Sequence, residues 1–161
     1  METKLLVLKL FLDALGIDDS IETIDDRKRV QKAVYIGQQS GISLGYRFGW
    51  YRMGPYCPAL TRDYYALEAE LAAGAMDSEQ RSLNAETIDK LRTIIPLLKS
   101  PIEDVDQEDW LELLASVHFL RTVSGRSNEQ ARAILQEQKP RIAPHFNLAL
   151  DSLVRNRLLN D

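Results

Sequence analysis

The chain has 161 residues, enough for one domain with a sizeable hydrophobic core. Its net charge of −4 argues against a general polyanion binder, because phosphate contacts require a local excess of lysine and arginine. A single cysteine excludes an intrachain disulfide and is typical of a reducing cytoplasm, and no apolar run is long enough to cross a bilayer. We therefore expect one cytoplasmic domain over residues 1–161, with no membrane partner.

The N-terminal part of the chain predicts two helices. Leucines at helical spacing predict a first helix over residues 3–15, ended by Gly16. A second helix follows an acidic connector, and we expect Asp25 or Asp26 to cap it. Gly41 is expected to mark its end.

The second helix carries a cluster of basic residues near its start. Residues 1–65 have nine basic and eight acidic side chains, whereas the remaining residues have eleven and sixteen. Basic residues in a first turn oppose the helix dipole, so either the neighbouring aspartates and solvent offset them or they contact a ligand. The candidate nucleic-acid contacts are Arg27, Lys28, Arg29 and Lys32.

Residues 44–58 are the one segment that a stable helix cannot explain. They contain five of the twelve aromatic residues, interleaved with two arginines and broken by glycines and prolines. Tyr46, Phe48 and Trp50 alternate with other residues, which predicts a short strand, and Gly54-Pro55 predicts a turn. We expect a short β-hairpin or strand pair near residues 44–56.

Alternation along a strand allows this segment both a packed side and an exposed side. The residues predicted to form its structural core are Phe48, Trp50, Gly54 and Pro55. The residues predicted to bind a partner are Arg47, Tyr51, Arg52 and Tyr56, because Arg and Tyr are enriched at binding hot spots. Ordinary surface exposure is the alternative interpretation of Arg47, Tyr51 and Arg52.

The rest of the chain predicts further helices. One begins at Pro58 and stops at Gly74, and residues 75–84 form a polar connection. Another spans about Ala85–Leu98, where Pro96 would kink or shorten it.

Three more helical segments follow an acidic linker. Asp106 caps the first. Ser127 begins the second with a capping box, and this helix ends at Lys139-Pro140. The last begins near Pro144. The sum is a mainly α domain of five to seven helices, with a recognition region at 25–75 and a helical half at 85–158.

No pattern in the chain predicts a catalytic or metal site. Neither His118 nor His145 has a metal ligand three or four positions away, so each is interpreted as a core or capping residue. Cys57 is interpreted as a small packed side chain. Phosphate-binding, dinucleotide and nucleophile motifs are absent from the sequence. We therefore expect no enzyme activity, no cofactor and no metal.

Two segments together resemble a known family. They are the helix Arg27–Tyr35, which contains Gln31-Lys32 and Tyr35, and the Gly54-Pro55-Tyr56 element with the helix after it. Over roughly residues 25–157 the chain resembles the YwgA-like family of prokaryotic proteins and, more distantly, the Panacea (SocA-like) antitoxin domain. The resemblance implies a mainly helical fold and supplies no catalytic residue. Panacea proteins neutralise a partner protein, and SocA-like members present a toxin to a protease.

Two hypotheses on function follow. The first is a non-enzymatic protein-interaction module in a toxin–antitoxin, mobile-element or phage-defence setting, whose partner is a toxin, an effector or a protease-like protein. The alternative is a nucleic-acid-binding protein of winged-helix type. The amphipathic helices are also compatible with a homo-oligomer.

Overall fold

The computed structural model describes residues 1–75, 77 and 80–160. In this part of the chain it contains eight α-helices and one two-stranded antiparallel sheet, so the predicted mainly α domain with one hairpin is confirmed. The helices are α1 (Thr3–Leu15), α2 (Ile24–Gln38), α3 (Pro58–Ala72), α4 (Ala85–Arg92), α5 (Ile95–Leu98), α6 (Gln107–Thr122), α7 (Asn128–Gln138) and α8 (Phe146–Arg155). The strands are β1 (Gly49–Tyr51) and β2 (Gly54–Tyr56). The predicted polar connection at 75–84 lies partly outside the described residues.

Helix α6 forms the centre of the core. Every residue from Asp109 to Leu120 is buried, and the helix packs against α2, β2 and α8. The indole N–H of Trp110 donates to the carbonyl of Leu97 at 2.8 Å, which ties α6 to α5. A helix covered on several sides has no solvent face, which explains why its sequence lacks a clear polar stripe. Among the described residues, no helix combines the length and the apolar character needed to span a membrane.

Helix α1 has the predicted bounds and packs closely on α2. Gly16 ends it with a positive φ of 70°. A Cβ atom on Gly37 of α2 would lie 2.6 Å from the ring of Phe11, so glycine permits this close approach of the two helices.

The predicted cap of α2 was wrong. Thr23, not Asp25 or Asp26, is the N-cap, and its hydroxyl accepts from the amide of Asp26 at 3.0 Å. The Asp26 carboxylate accepts in turn from the Thr23 amide, which completes a capping box. The basic residues consequently lie beyond the first turn, which holds Asp25 and Asp26. The helix ends at Gln38, and Gly41 belongs to the following turn.

The predicted helix over about Ala85–Leu98 is two helices. The break comes after Arg92, and Pro96 lies in the first turn of α5. A proline inside a helix would lose a hydrogen bond and clash with the carbonyl four residues before it, whereas the first turn tolerates it. Asp106 occupies the predicted N-cap position of α6, but its side chain makes no capping hydrogen bond.

Other predicted boundaries are confirmed. Pro58 is the first residue of α3, and Ser127 forms a capping box with Gln130 at the start of α7. After α7 ends before Lys139, a short 3₁₀ turn over Ala143–His145 leads into α8.

The predicted turn position was wrong by two residues, and the first strand begins only at Gly49, after Tyr46 and Phe48. Strand β1 pairs with β2 so that Tyr51 lies opposite Gly54, which leaves Arg52 and Met53 as the turn. Gly54 itself lies in β2 with φ of 87°, and a Cβ there would meet the Ser116 hydroxyl at 2.5 Å. Only glycine therefore fits between the hairpin and α6 at this position.

Candidate functional site

Helix α2 contacts the hairpin and the residues next to it through three side chains. The side-chain amide of Gln31 donates to the Cys57 carbonyl at 2.9 Å, and the Cys57 amide donates back to it at 3.0 Å. The Lys32 ammonium donates to the Pro55 carbonyl at 2.6 Å. Tyr35 packs edge-on against Phe48, with ring centroids 5.2 Å apart. One face of α2 thus fixes the position of the hairpin.

A buried ion-pair network lies beside this contact. The Lys28 amine is 2.7 Å from a carboxylate oxygen of Asp109 and 3.0 Å from one of Glu112. Glu112 also pairs with Lys139 at 2.9 Å, and Asp109 pairs with Arg141. Burial alone would lower the pKa of Lys28, but the hydrogen bonds and charges of the two acids outweigh it and raise that pKa.

The network extends to the opposite side of the hairpin. The Lys139 amine donates to the Arg52 carbonyl at 2.5 Å and lies 5.6 Å from the centroid of the Trp50 ring. The Trp50 indole N–H donates to the Gln138 side chain at 3.0 Å. The turn is therefore fixed from two sides, by α2 and by the end of α7.

Lys32 differs from the other buried cations. Its side chain is almost fully buried, with 1% of the residue exposed, and no carboxylate of the described residues lies within ion-pair distance of its amine. Burial lowers its pKa to about 7; Glu112 opposes this shift, while Lys139 and Lys28 add to it. Near neutral pH, Lys32 is thus poised between its charged and neutral forms.

Two cavities open on either side of the hairpin turn. The first, which we name the Lys32 pocket, has a volume of about 260 Å³ and lies between α2, α3 and the hairpin. The second has a volume of about 270 Å³ and is lined by Arg52, Lys139 and Arg141. Lys28 and Met53 line both cavities, so the side chain of Met53 stands between them.

Exposed apolar side chains gather around the first cavity. Ile24, Met53 and Tyr65 line the Lys32 pocket and are 59%, 42% and 49% exposed. Tyr51 is also exposed and packs edge-on against Tyr56, another lining residue, at 5.1 Å. We define the hairpin face as Ile24, Tyr51, Arg52, Met53 and Tyr65.

The residues predicted to bind a partner are placed differently from one another. Tyr51 and Arg52 are exposed at the hairpin tip, and Tyr56 is half-buried with its hydroxyl 2.6 Å from that of Thr61. Arg47 is exposed but lines neither of these two cavities. Neither arginine makes an ion pair with a residue that the structure describes.

The predicted structural core of the hairpin is packed against the domain. Gly54 and Pro55 are buried, and Phe48 and Trp50 are half-buried. Trp50 packs on Phe119 of α6, with ring centroids 5.8 Å apart.

The predicted nucleic-acid contacts mostly face the protein itself. Lys28 and Lys32 are buried, and Arg29 pairs with Asp26 at 3.0 Å. Arg27 donates to the Ile21 carbonyl at 2.9 Å.

Sequence reasoning missed half of this site. It did not select the acids on α6 or the cations after α7, which are Asp109, Glu112, Lys139 and Arg141. A signal for the acids exists, because Asp109, Glu112 and Ser116 recur at helical spacing on an otherwise apolar helix. The pairing of these acids with α2 has no counterpart in local spacing.

His118 and Cys57, two further candidates for chemistry, are both buried. His118 is buried and its Nδ1 lies 2.7 Å from the Tyr35 hydroxyl; burial lowers its pKa to about 4, so it is neutral at physiological pH. Cys57 is buried as well. Packed roles for His118 and Cys57 are thereby confirmed. Within the described residues, no three potential metal ligands come together.

No protein-family model matches this chain, and no curated protein is significantly similar to it. The resemblance to the YwgA-like family accordingly stays a prediction.

Proposed function

We propose that this chain is a protein-interaction module that binds a partner protein through the hairpin face. The observation that carries the proposal is the clustering of exposed apolar side chains. Of the six large apolar side chains that the described residues expose, four belong to the hairpin face. Contiguous exposed apolar groups are characteristic of protein interaction sites, whereas single scattered ones are not.

The composition and rigidity of the hairpin face also support partner binding. Tyr51, Arg52 and Met53 are of the residue types enriched at interfaces, and they are consecutive: Tyr51 ends β1, and Arg52 and Met53 form the turn. Hydrogen bonds from Lys32 and Lys139 to hairpin carbonyls fix that turn before any partner arrives. A pre-organised surface loses less conformational entropy on binding.

The resemblance to antitoxin domains suggests the class of partner. A toxin or effector protein encoded beside this chain is the partner that we propose, with the hairpin face as the contact. Residues of the ion-pair network would then act as support for the turn rather than as contacts.

The test is recovery of a partner from a lysate of the native host. A Tyr51→Ala, Arg52→Ala, Met53→Ala variant should lose a protein that wild type recovers, with an unchanged unfolding midpoint. An Ile95→Ala, Val123→Ala variant is the matched control, because both side chains are exposed and apolar and neither belongs to the hairpin face. Equal recovery by wild type and the triple variant would refute the proposal.

Arg47→Ala separates two versions of this surface. If Arg47 contributes as the sequence predicted, its loss weakens recovery; if the surface is limited to the hairpin face, recovery is unchanged. Retardation of duplex DNA by the wild type, falling steeply with salt, would instead favour the nucleic-acid alternative.

A further inference from the structure

We propose that the Lys32 pocket binds a carboxylate that is attached to an apolar group. The proposal goes beyond the protein-interaction function, because it assigns a ligand chemistry to a cavity and does not require a protein partner.

The charges of the lining point to an anion. Arg27, Lys28 and Lys32 all line the pocket, and the described residues contribute no carboxylate to it. Lys28 pairs with two acids that lie on α6, outside the pocket lining, and that also pair with Lys139 and Arg141. Lys32 has no such partner, so one positive charge lacks a counter-ion at this place. A buried cation is stabilised when an anion pairs with it.

Hydrogen-bond donors that lack an acceptor also indicate an anionic ligand. A lysine ammonium has three N–H groups, and Lys32 uses one of them on the Pro55 carbonyl. The Thr61 hydroxyl donates its one hydrogen to the Tyr64 hydroxyl at 3.3 Å, and it accepts from Gln31 at 3.0 Å and from the Tyr56 hydroxyl at 2.6 Å. The Tyr64 hydrogen is then left without an acceptor among the described residues. An oxygen atom in the pocket could accept from both Lys32 and Tyr64.

The apolar lining of the pocket indicates the group to which the carboxylate is attached. Met53, Tyr56 and Tyr65 present apolar surface around the mouth of a cavity of about 260 Å³. This volume is large enough for a small apolar group. The tyrosine rings and the Met53 sulfur of the lining make favourable contacts with an aromatic ring of a ligand. A monoanion complements Lys32, the one lysine of the lining that has no carboxylate partner among the described residues.

Protonation of Lys32 couples this binding to pH. The charged groups facing its amine are Glu112 on α6, Lys28 on α2 and Lys139 after α7, and the pKa of Lys32 in the empty pocket is about 7. The raised pKa of Lys28 keeps that residue charged over the same range. A bound carboxylate favours protonated Lys32, so affinity falls by up to about tenfold per pH unit above pH 7.

The experiment uses phenylacetate as the probe and phenylacetamide as its neutral isostere. Binding is followed by the backbone amide signals of the pocket in ¹H–¹⁵N spectra at pH 6.5 and pH 8.5. Saturable shifts with phenylacetate, weaker at the higher pH and absent with phenylacetamide, are expected. Equal binding of the two compounds would overturn the proposal.

Variants assign the effect to the pocket. Lys32→Met should weaken phenylacetate binding by more than about tenfold and remove its pH dependence, since it removes the paired charge. Arg62→Gln is the matched control, because it removes an exposed cation of α3 that does not line the cavity. Undiminished affinity in Lys32→Met would contradict the proposal.

A second variant tests the pocket while Lys32 stays in place. Met53→Asp places a carboxylate at the exposed mouth, so it should weaken phenylacetate without changing the fold; unchanged affinity there would also overturn the proposal. The last part of the experiment measures the affinity of a blocked phenylalanyl-glutamate dipeptide, with the corresponding glutamine dipeptide as its neutral control. Tighter binding of the glutamate dipeptide than of phenylacetate assigns the carboxylate to a partner protein, and the reverse order assigns it to a free small molecule. Both rankings of affinity support carboxylate binding in the Lys32 pocket.

Discussion

Replacement of Lys32 by methionine should stabilise the protein, and the gain should shrink as the pH rises. Lys32 is 1% exposed and its pKa falls from 10.5 to about 7 on folding. The unfolded chain therefore keeps the proton between these values while the folded chain releases it. Folding is favoured as pH rises through this window, and the cost of burying the charge is fully present below pH 7.

The size of the effect follows from the shift. A pKa lowered from 10.5 to about 7 corresponds to roughly 5 kcal/mol of lost stability at low pH. Methionine avoids this cost but leaves the Pro55 carbonyl without its donor, which costs about 1 to 3 kcal/mol. The variant should thus be more stable than wild type by roughly 2 to 4 kcal/mol at pH 6.

Between pH 6 and pH 9 the wild type regains roughly 2 to 3 kcal/mol, so the advantage of the variant shrinks by that amount. Urea unfolding of both proteins at the two pH values measures this change, which does not depend on the energy of the lost hydrogen bond. Lys99→Met, which removes an exposed lysine, is the control. A stability difference that is the same at both pH values would refute the account of Lys32.

Three further predictions concern the support of the hairpin and the core. Gly54→Ala should destabilise by about 2 to 4 kcal/mol in urea unfolding, because its Cβ would meet the Ser116 hydroxyl in addition to the unfavourable positive φ. Gly45→Ala, with a similar φ of 84° and open space around it, should cost only about 1 kcal/mol, and equal costs would contradict the close packing. Glu112→Gln should cost about 3 to 5 kcal/mol, since it leaves two buried lysines without their shared acid, and a loss below about 1 kcal/mol would show that the network is not closed. Stability should also fall as pH drops from 6.5 towards 4, by up to roughly 3 kcal/mol from His118, because only the unfolded chain binds that proton in this window. His118→Asn should remove this part of the pH dependence, and an unchanged profile would contradict it.

The sequence predicted the elements well because their signals are local. Apolar spacing predicted α1 and α6, Pro58 predicted the start of α3, and Ser127 predicted the capping box of α7. The errors arose where two local signals competed. Thr23 and Asp25 are both good capping residues, and only the packed path of the chain selects one.

The candidate site was predictable only in part. The exposure of Tyr51 followed from alternation, whereas Arg52 is exposed because it lies in the turn. Burial of Lys28 and Lys32 did not follow from the sequence. Lys28 is buried against acids of α6, and its pairing with Asp109 spans 81 residues. Lys32 is buried under the hairpin, where it donates to the Pro55 carbonyl. Helical spacing places the acids on one face of α6 but does not show which helix they pair with. A basic cluster that is typical of an exposed surface is therefore buried in the structure.

Site-specific photo-crosslinking in the native host tests most directly whether the hairpin face binds a partner. A benzophenone amino acid replaces Tyr65, 49% exposed on this face, or Val123, 62% exposed elsewhere. The account predicts one discrete adduct from position 65 and none of the same mass from position 123. No adduct at position 65, or the same adduct from both positions, would contradict it.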